Sequence, residues 1–128
     1  MDDQDLYARA LAESTMATGD RVVFDRTALL DRIGGQAALM PRLLALFCST
    51  VDDSLGCLER SAAAADAAEA RKLAHTLKGV AANIGADRMH AVIVELETSA
   101  RKGDVAAIVS GLERLRGEYE LFKDVSHE

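Results

Sequence analysis

Residues 66–85 read DAAEARKLAHTLKGVAANIG, and this stretch decides the fold. Asp66 followed three residues later by Glu69 resembles a capping box with Asp in place of Ser or Thr, which is typical of a helix start. Gly85 can take the left-handed conformation that commonly ends a helix. Alanine is the commonest residue in between, and it is the best helix former. The stretch therefore predicts one helix from residue 66 to residue 84.

The apolar residues of this helix share one side. Counted from Leu77, a step of about 100° per residue places six other apolar residues within roughly 60° of it. They are Ala70, Leu73, Ala74, Val80, Ala81 and Ile84. The same step places His75 about 160° from Leu77, almost opposite the predicted core. We expect the imidazole to point into solvent.

The outer face around His75 is predicted to be small and basic. Its other members are Ala68, Arg71, Lys72, Lys78, Gly79 and Ala82. A glycine in an exposed helix interior lowers helix stability by about 1 kcal/mol relative to alanine. The best explanation for Gly79 is that it leaves room for a partner protein beside the imidazole ring. Neutral drift is the alternative explanation.

The sign of the charge around His75 differs from that of the whole chain. Residues 71–88 contain four bases, Arg88 included, and one acid, a net charge of +3, whereas the chain carries −6 in total. A basic surface around an exposed histidine suits an anion such as phosphate. Lys78, the i+3 neighbour of His75, lies within reach of a group on the ring. An ordinary solvated charged face is the alternative.

Helices are also predicted on both sides of this one. A weak apolar stripe covers residues 3–17. A short helix opens at Phe24 and stops at Gly34-Gly35. A long second helix begins near Gln36 with Pro41 in or close to its first turn, where proline is tolerated. After the third helix at 66–84, a fourth runs from about Asp87 to Lys102, and Asp104 caps a fifth.

Apolar residues at spacings of three and four give each helix one buried face. The predicted inward residues are Leu29, Leu30 and Ile33, then Met40, Leu43, Leu44, Phe47, Val51, Leu55 and Leu58, then Met89, Ile93, Leu96 and Ala100, and finally Val105, Ile108, Leu112, Leu115, Tyr119 and Phe122. The connections near Gly85 and Gly103 are very short, which favours antiparallel neighbours. The prediction is an all-α fold: an antiparallel up-down-up-down four-helix bundle with one or two extra short N-terminal helices.

Composition agrees with one helical domain and excludes several classes of protein. The 128 residues include 49% hydrophobic residues, 4% aromatics, one Pro and no Trp. The net charge of −6 disfavours a nucleic-acid binder, which needs a basic face. No apolar run approaches the roughly 20 residues of a membrane span, and the acidic start is unlike a secretory signal. We expect a cytoplasmic protein in which Cys48 and Cys57 are small core residues without a disulfide.

Residues 74–86, AHTLKGVAANIGA, carry the most specific motif of the chain. They contain H-x-L-K-G without a gap, followed by an Asn-hydrophobic-Gly turn, and so resemble the signature of histidine phosphotransfer (HPt) domains. The position of Arg71, the 95–97 stretch Glu-Leu-Glu and the 100–103 ending Ala-Arg-Lys-Gly also resemble the family. The resemblance extends from about Phe24 to Phe122, although outside residues 71–103 it is mainly one of helix pattern.

The resemblance implies a domain over residues 24–124 after an N-terminal helix or linker extension at 1–23. It implies phosphorylation of His75 at Nε2, support of the phosphate by Lys78, and docking of receiver domains over the second and third helices. The implied docking residues are Ala68, Arg71, Lys72, Gly79, Ala82, Asn83, Phe47 and Gln36. Val80 stands where many relatives have Ser, which removes one hydrogen-bonding side chain. The motif is closer to relay domains of hybrid sensor kinases than to chemotaxis-kinase domains.

The predicted function is therefore that of a phosphocarrier and not of an enzyme. Imidazole is substantially neutral near pH 7 and offers a nitrogen lone pair. No nucleotide-binding loop is found, so Mg²⁺ is expected from the partner receiver and no cofactor is expected in this chain. A monomer is expected, which exchanges phosphate with response-regulator receivers, including those of a hybrid sensor kinase.

Two other functions stay open at this point. One is a receiver-binding module that does not transfer phosphate, which would be indicated by loss of His75 or Lys78. The other is a purely structural bundle such as a dimerisation unit, which would favour continuous heptads. His90 has no metal-ligating neighbours at the right spacing, and we expect it to be a surface or half-buried residue.

Overall fold

The computed structural model describes residues 21–127, and every regular element within them is a helix. In chain order the elements are α1 (Arg26–Arg32), a 3₁₀ turn (Ala37–Leu39), α2 (Met40–Ala63), α3 (Ala67–Ile84), α4 (Asp87–Arg101) and α5 (Val105–Ser126). The weak helix predicted over residues 3–17 lies outside the described residues.

The helix ends follow the capping chemistry of the sequence. The side chains of Asp25, Asp66 and Asp104 cap α1, α3 and α5, each by accepting a hydrogen bond from the backbone N–H three residues on. Gly85 ends α3 in the left-handed conformation with φ 84°. Pro41 is the second residue of α2, where it disrupts no helical hydrogen bond. The helix predicted to begin near Gln36 is preceded by the 3₁₀ turn and starts four residues later.

Helices α2 to α5 pack in chain order. Helix α2 contacts α3, α3 contacts α4, α4 contacts α5, and α5 returns to contact α2. Two or three residues join each consecutive pair. These contacts confirm an all-helical bundle. The up-down-up-down order remains the prediction made from the short connections.

Phe122 of α5 is one of the fully buried residues of the core. Its ring meets those of Phe24 and Phe47 edge-on, at centroid distances of 5.3 and 5.0 Å. Most predicted inward residues are buried. Those that are only half-buried are Leu30, Ile33, Leu43, Leu44, Leu73, Val80 and Val105. Leu43 and Leu44 are less buried than predicted because they border grooves on either side of α1.

Helix α1 is fastened to the C-terminal end of α3. The backbone N–H of Asp25 donates to the Gly85 carbonyl at 2.9 Å, and a Cβ at Gly85 would lie only 3.0 Å from the Asp25 carbonyl oxygen. Arg32 donates to the carbonyls of Ala82 and Asn83 at 3.0 and 2.7 Å. These carbonyls lie in the last turn of α3, where the helix itself leaves carbonyls unpaired; the Ala82 carbonyl also accepts from the N–H of Gly85. The contacts therefore secure the helix that carries His75.

No helix within residues 21–127 combines the length and the apolar composition needed to cross a membrane.

Candidate functional site

Helix α3 presents His75 to solvent. Its buried residues are Ala70, Ala74, Leu77, Ala81 and Ile84. The side chain of His75, on the opposite side, is 70% exposed. The helical wheel therefore placed the ring correctly.

A buried carboxylate from the neighbouring helix α4 lies against this exposed ring. The side chain of Glu97 is only 7% exposed, and its Oε2 lies 3.2 Å from Nδ1 of His75. Nζ of Lys78 lies 3.3 Å from Oε1 and 3.2 Å from Oε2. Arg101, one turn further along α4, donates from Nη2 to Oε1 at 2.9 Å. Three basic side chains thus meet at one carboxylate.

The environment of Glu97 favours its ionised form. Burial alone would raise the pKa of the carboxyl, but the hydrogen bonds from Lys78 and His75, together with the charges of those side chains, outweigh burial. The pKa of Glu97 therefore lies below its ordinary value of 4.5. At neutral pH the group is a carboxylate, which only accepts hydrogen bonds.

The charge of Glu97 decides which nitrogen of His75 is free. Because the carboxylate can only accept, Nδ1 must carry the proton in the contact with Oε2. A neutral imidazole has one N–H and one lone pair, so the lone pair then belongs to Nε2. An imidazole held in this way presents an available nucleophile to a molecule arriving from solvent.

Comparison with known proteins identifies the family of the chain. Residues 42–124, well over half of the chain, match the family model described as Hpt domain. The chain belongs to the Hpt domain family. Its structure is similar to the crystal structure of histidine-containing phosphotransfer protein B (HptB) from Pseudomonas aeruginosa PAO1, with a TM-score of 0.76 and 27% sequence identity over 82% of this chain and 91% of that chain. No curated protein matches the sequence.

The family match does not test the predicted domain boundaries, so they stay a prediction. It begins at residue 42, inside α2. The predicted domain, 24–124, also includes α1, which is secured to α3 by the contacts described above.

The surface of this Hpt domain beside His75 is open. Gly79 is exposed, and among the described residues a Cβ added there would meet no heavy atom within 4 Å apart from the adjoining backbone of its own helix. Arg71 and Lys72 are also exposed. Arg71 and Lys72 line a shallow cavity of about 430 Å³ together with Ala68, His75 and Thr76. Of the small and basic residues predicted around the ring, Ala68, Arg71, Lys72 and Gly79 are thus exposed, whereas Lys78 and Ala82 are half-buried.

The remaining predicted docking residues lie further along the domain. Phe47 and Asn83 both line a mainly apolar groove of about 460 Å³ between α1, α2 and α3. Asn83 is exposed and Ala82 is half-buried. Phe47 is 3% exposed and packs on Phe122, so it contributes chiefly to the core. Gln36 is exposed in the turn before α2.

The prediction that Arg88 belongs to the basic surface around His75 is wrong. Arg88 is 5% exposed and donates from Nη2 to Oε1 of Glu118 at 2.8 Å. This buried ion pair joins α4 to α5, so Arg88 adds no charge to the exposed face. Arg101, whose side chain is 54% exposed, supplies a positive charge near the ring instead.

No role was predicted for Glu97 or Arg101, although the sequence pattern of α4 contains a signal for Glu97. Glu97 stands four residues after Ile93 and three before Ala100, both of which are predicted inward. Residues at these spacings share one helix face. A carboxylate among core positions requires a compensating partner, and Arg101 stands at i+4. Which helix supplies the other partners cannot be predicted from α4 alone.

The other candidate ligands and thiols form no second site. His90 is half-buried, as expected. Cys48 and Cys57 are free thiols and are half-buried, hence less enclosed than predicted. Within residues 21–127, no group of three or more His, Cys, Asp or Glu side chains could hold a metal ion.

Proposed function

We propose that this Hpt domain is a histidine phosphocarrier whose phosphorylated residue is His75. It accepts a phosphoryl group from the aspartate of one receiver domain and passes it to the aspartate of another. The observation that carries this proposal is the exposed ring whose Nδ1 is held by the ionised Glu97, because this contact leaves Nε2 free to react.

The transfer step balances as a simple displacement. The lone pair of Nε2 forms the N–P bond while the P–O bond to the receiver aspartate breaks, and the aspartate leaves with that electron pair as a carboxylate. The ring then carries a positive charge and keeps its proton at Nδ1, against Glu97. In the reverse step the ring leaves phosphorus as a neutral imidazole. Glu97 therefore favours the state of the ring that can both accept and release phosphate.

Lys78 is proposed to support the phosphoryl group. It lies three residues after His75, so both side chains project from the same side of α3. Its ammonium group already reaches Glu97, and its side chain is 30% exposed. A phosphoryl group on Nε2 adds negative charge beside this lysine, and the ammonium can turn towards it.

The domain is proposed to act as a carrier and to depend on its partner for the rest of the chemistry. Phosphoryl transfer requires mainly positioning and charge neutralisation. We propose that Mg²⁺ comes from the receiver, as the receiver also supplies the aspartate. A monomer in the cytoplasm suits a carrier that two different proteins must reach in turn, and a hybrid sensor kinase is one source of such receivers.

The groove between α1, α2 and α3 is proposed as part of the receiver-docking surface. It is mainly apolar and adjoins the α3 face that carries Gly79 and Val80. Leu46 on its rim is 65% exposed, the highest value among the large exposed apolar residues of the described chain. An exposed apolar patch beside a reactive group is a feature of protein-binding surfaces.

The proposal is tested by mixing the chain with phosphorylated receivers and following the phosphate. The expected product is an acid-labile, base-stable phosphate on the chain, and His75→Gln should abolish it. Because the ring is exposed, that variant should keep its helical signal and its melting temperature. Receiver binding without labelling, with several receivers tried, would instead support a non-transferring module.

A further inference from the structure

We propose that Arg101 is a positioning residue that takes over Glu97 when Lys78 turns to the phosphoryl group. This inference rests on the proposed function, because it concerns the phosphorylated state of His75. It assigns separate tasks to the two cations that meet Glu97 in the unphosphorylated domain.

The contacts of the carboxylate show that Lys78 and Arg101 are held differently. Nζ of Lys78 lies within 3.3 Å of both oxygens of Glu97 and comes from another helix, the one that carries His75. Arg101 contacts Oε1 alone at 2.9 Å and comes from the same helix as Glu97, at i+4. Movement of α3 side chains towards a new phosphate would therefore withdraw Lys78 and leave Arg101 in place.

In the phosphorylated state, the cationic ring and Arg101 are the positive charges that stay on Glu97 once Lys78 has turned away. Glu97 is almost entirely buried, with its side chain 7% exposed, and a buried carboxylate that loses one of its cations takes up the neighbouring ring proton more readily. If Glu97 took up a proton it would no longer hold the Nδ1–H of His75 as a charged acceptor. The ring would then lose its own proton more readily and would have to leave phosphorus as an anion, a poor leaving group.

Arg101 meets this need without competing for the phosphate site. Its guanidinium is always charged at neutral pH. Its bond to Oε1 leaves Oε2 facing Nδ1 of His75. The role is thus to keep the carboxylate charged and turned towards the ring after Lys78 has moved.

The test uses the full chain, loaded with phosphoramidate so that receiver docking plays no part. Arg101→Met removes the charge and keeps most of the side-chain length, and Arg101→Lys restores a charge. Lys102→Met is the matched control, because Lys102 is the exposed neighbouring cation. The ¹⁵N shifts of the His75 ring report the proton at Nδ1 before and after loading, and the rate of transfer to a receiver reports the leaving group.

Before loading, all variants should show Nδ1 protonated, because Lys78 still holds Glu97. After loading, Arg101→Met alone should lose much of the Nδ1–H signal, and the rate of its transfer to a receiver should fall about tenfold. Arg101→Lys should recover most of the rate, and Lys102→Met should match the wild type.

Two results would overturn the role of Arg101. One is a loaded Arg101→Met protein indistinguishable from the wild type. The other is loss of Nδ1–H in Arg101→Met before loading, because Arg101 would then be needed from the start and no exchange with Lys78 would occur. Failure of the wild-type chain to gain phosphate at His75 is a different result, which would overturn the proposed function as well.

Discussion

Replacing Gly79 by leucine should make the domain more stable and a slower phosphocarrier. Gly79 lies inside α3 and is exposed, and beyond the adjoining helix backbone no described heavy atom lies within 4 Å of the position that a Cβ would take. Since leucine is a good helix former and glycine a poor one, Gly79→Leu should raise the free energy of unfolding by about 0.5–1 kcal/mol. Among the described residues no neighbouring side chain crowds the Cβ position and so offsets this gain.

The same leucine should obstruct the receiver. Gly79 lies one turn after His75, so the new side chain would stand beside the ring that the receiver aspartate must approach. Forcing extra methylene groups into a packed interface costs about 1–3 kcal/mol, which corresponds to a transfer rate lower by about 5- to 150-fold. Loading by phosphoramidate, which needs no protein docking, should stay near the wild-type rate.

Gly117 provides the matched control. It lies in α5, is exposed, and an added Cβ there also meets nothing within 4 Å. Gly117→Leu should give the same gain in urea unfolding and leave receiver transfer unchanged. Wild-type transfer by Gly79→Leu would refute the docking argument, and a loss of stability in that variant would refute the placement of Gly79 in open space.

Three further predictions concern docking, the core and the carboxylate. Leu46→Ser should raise the receiver concentration needed for half-maximal transfer severalfold while changing the unfolding free energy by less than about 0.5 kcal/mol; unchanged transfer would remove the groove from the docking surface. Phe122→Ala should lower the unfolding free energy by about 3–5 kcal/mol in urea titrations, and a loss below about 1 kcal/mol would contradict the burial of that ring in the core. The pKa of Glu97 is lower in the folded chain than its ordinary value of 4.5. The ionised carboxylate therefore stabilises the folded domain fully above pH 4.5, and this stabilisation is lost as the pH falls through the folded-state pKa. Unfolding of wild type and Glu97→Gln, compared from about pH 7 to pH 3, should show the smaller acid loss in the variant, and parallel curves would mean that Glu97 is not held as an ion.

The parts of the fold that could be predicted are those determined within one helix. The wheel of α3 and the cap at Asp66 use only residues close in sequence, and the structure has both where they were predicted. The exposure of His75 follows from the same local geometry. The half-buried Leu43 and Leu44 were harder to predict, because their burial depends on how far α1 covers α2.

The parts of the site that were missed depend on contacts between helices. Arg88 and Glu97 are both charged residues of α4, and both are buried. Arg88 faces Glu118 of α5, whereas Glu97 faces His75 of α3. Periodicity shows that a charge falls on a buried face, but it does not show which helix supplies the compensating charge.

The arrangement of exposed ring and buried carboxylate suits a carrier better than a hydrolytic or synthetic enzyme. A carrier must accept a phosphoryl group from one protein and release it to another, so it cannot bind the group much more tightly than its partners do. Many buried donors around Nε2 would stabilise the phosphorylated state and slow the release of the phosphoryl group. Only interactions that are made specifically in the transition state speed transfer in both directions. In this domain the buried charge contacts Nδ1, and the ring itself is largely exposed beside Gly79. The proton is thus held at a different nitrogen from the one proposed to bind phosphate, and the receiver proposed to dock there would supply the remaining groups for transfer in either direction.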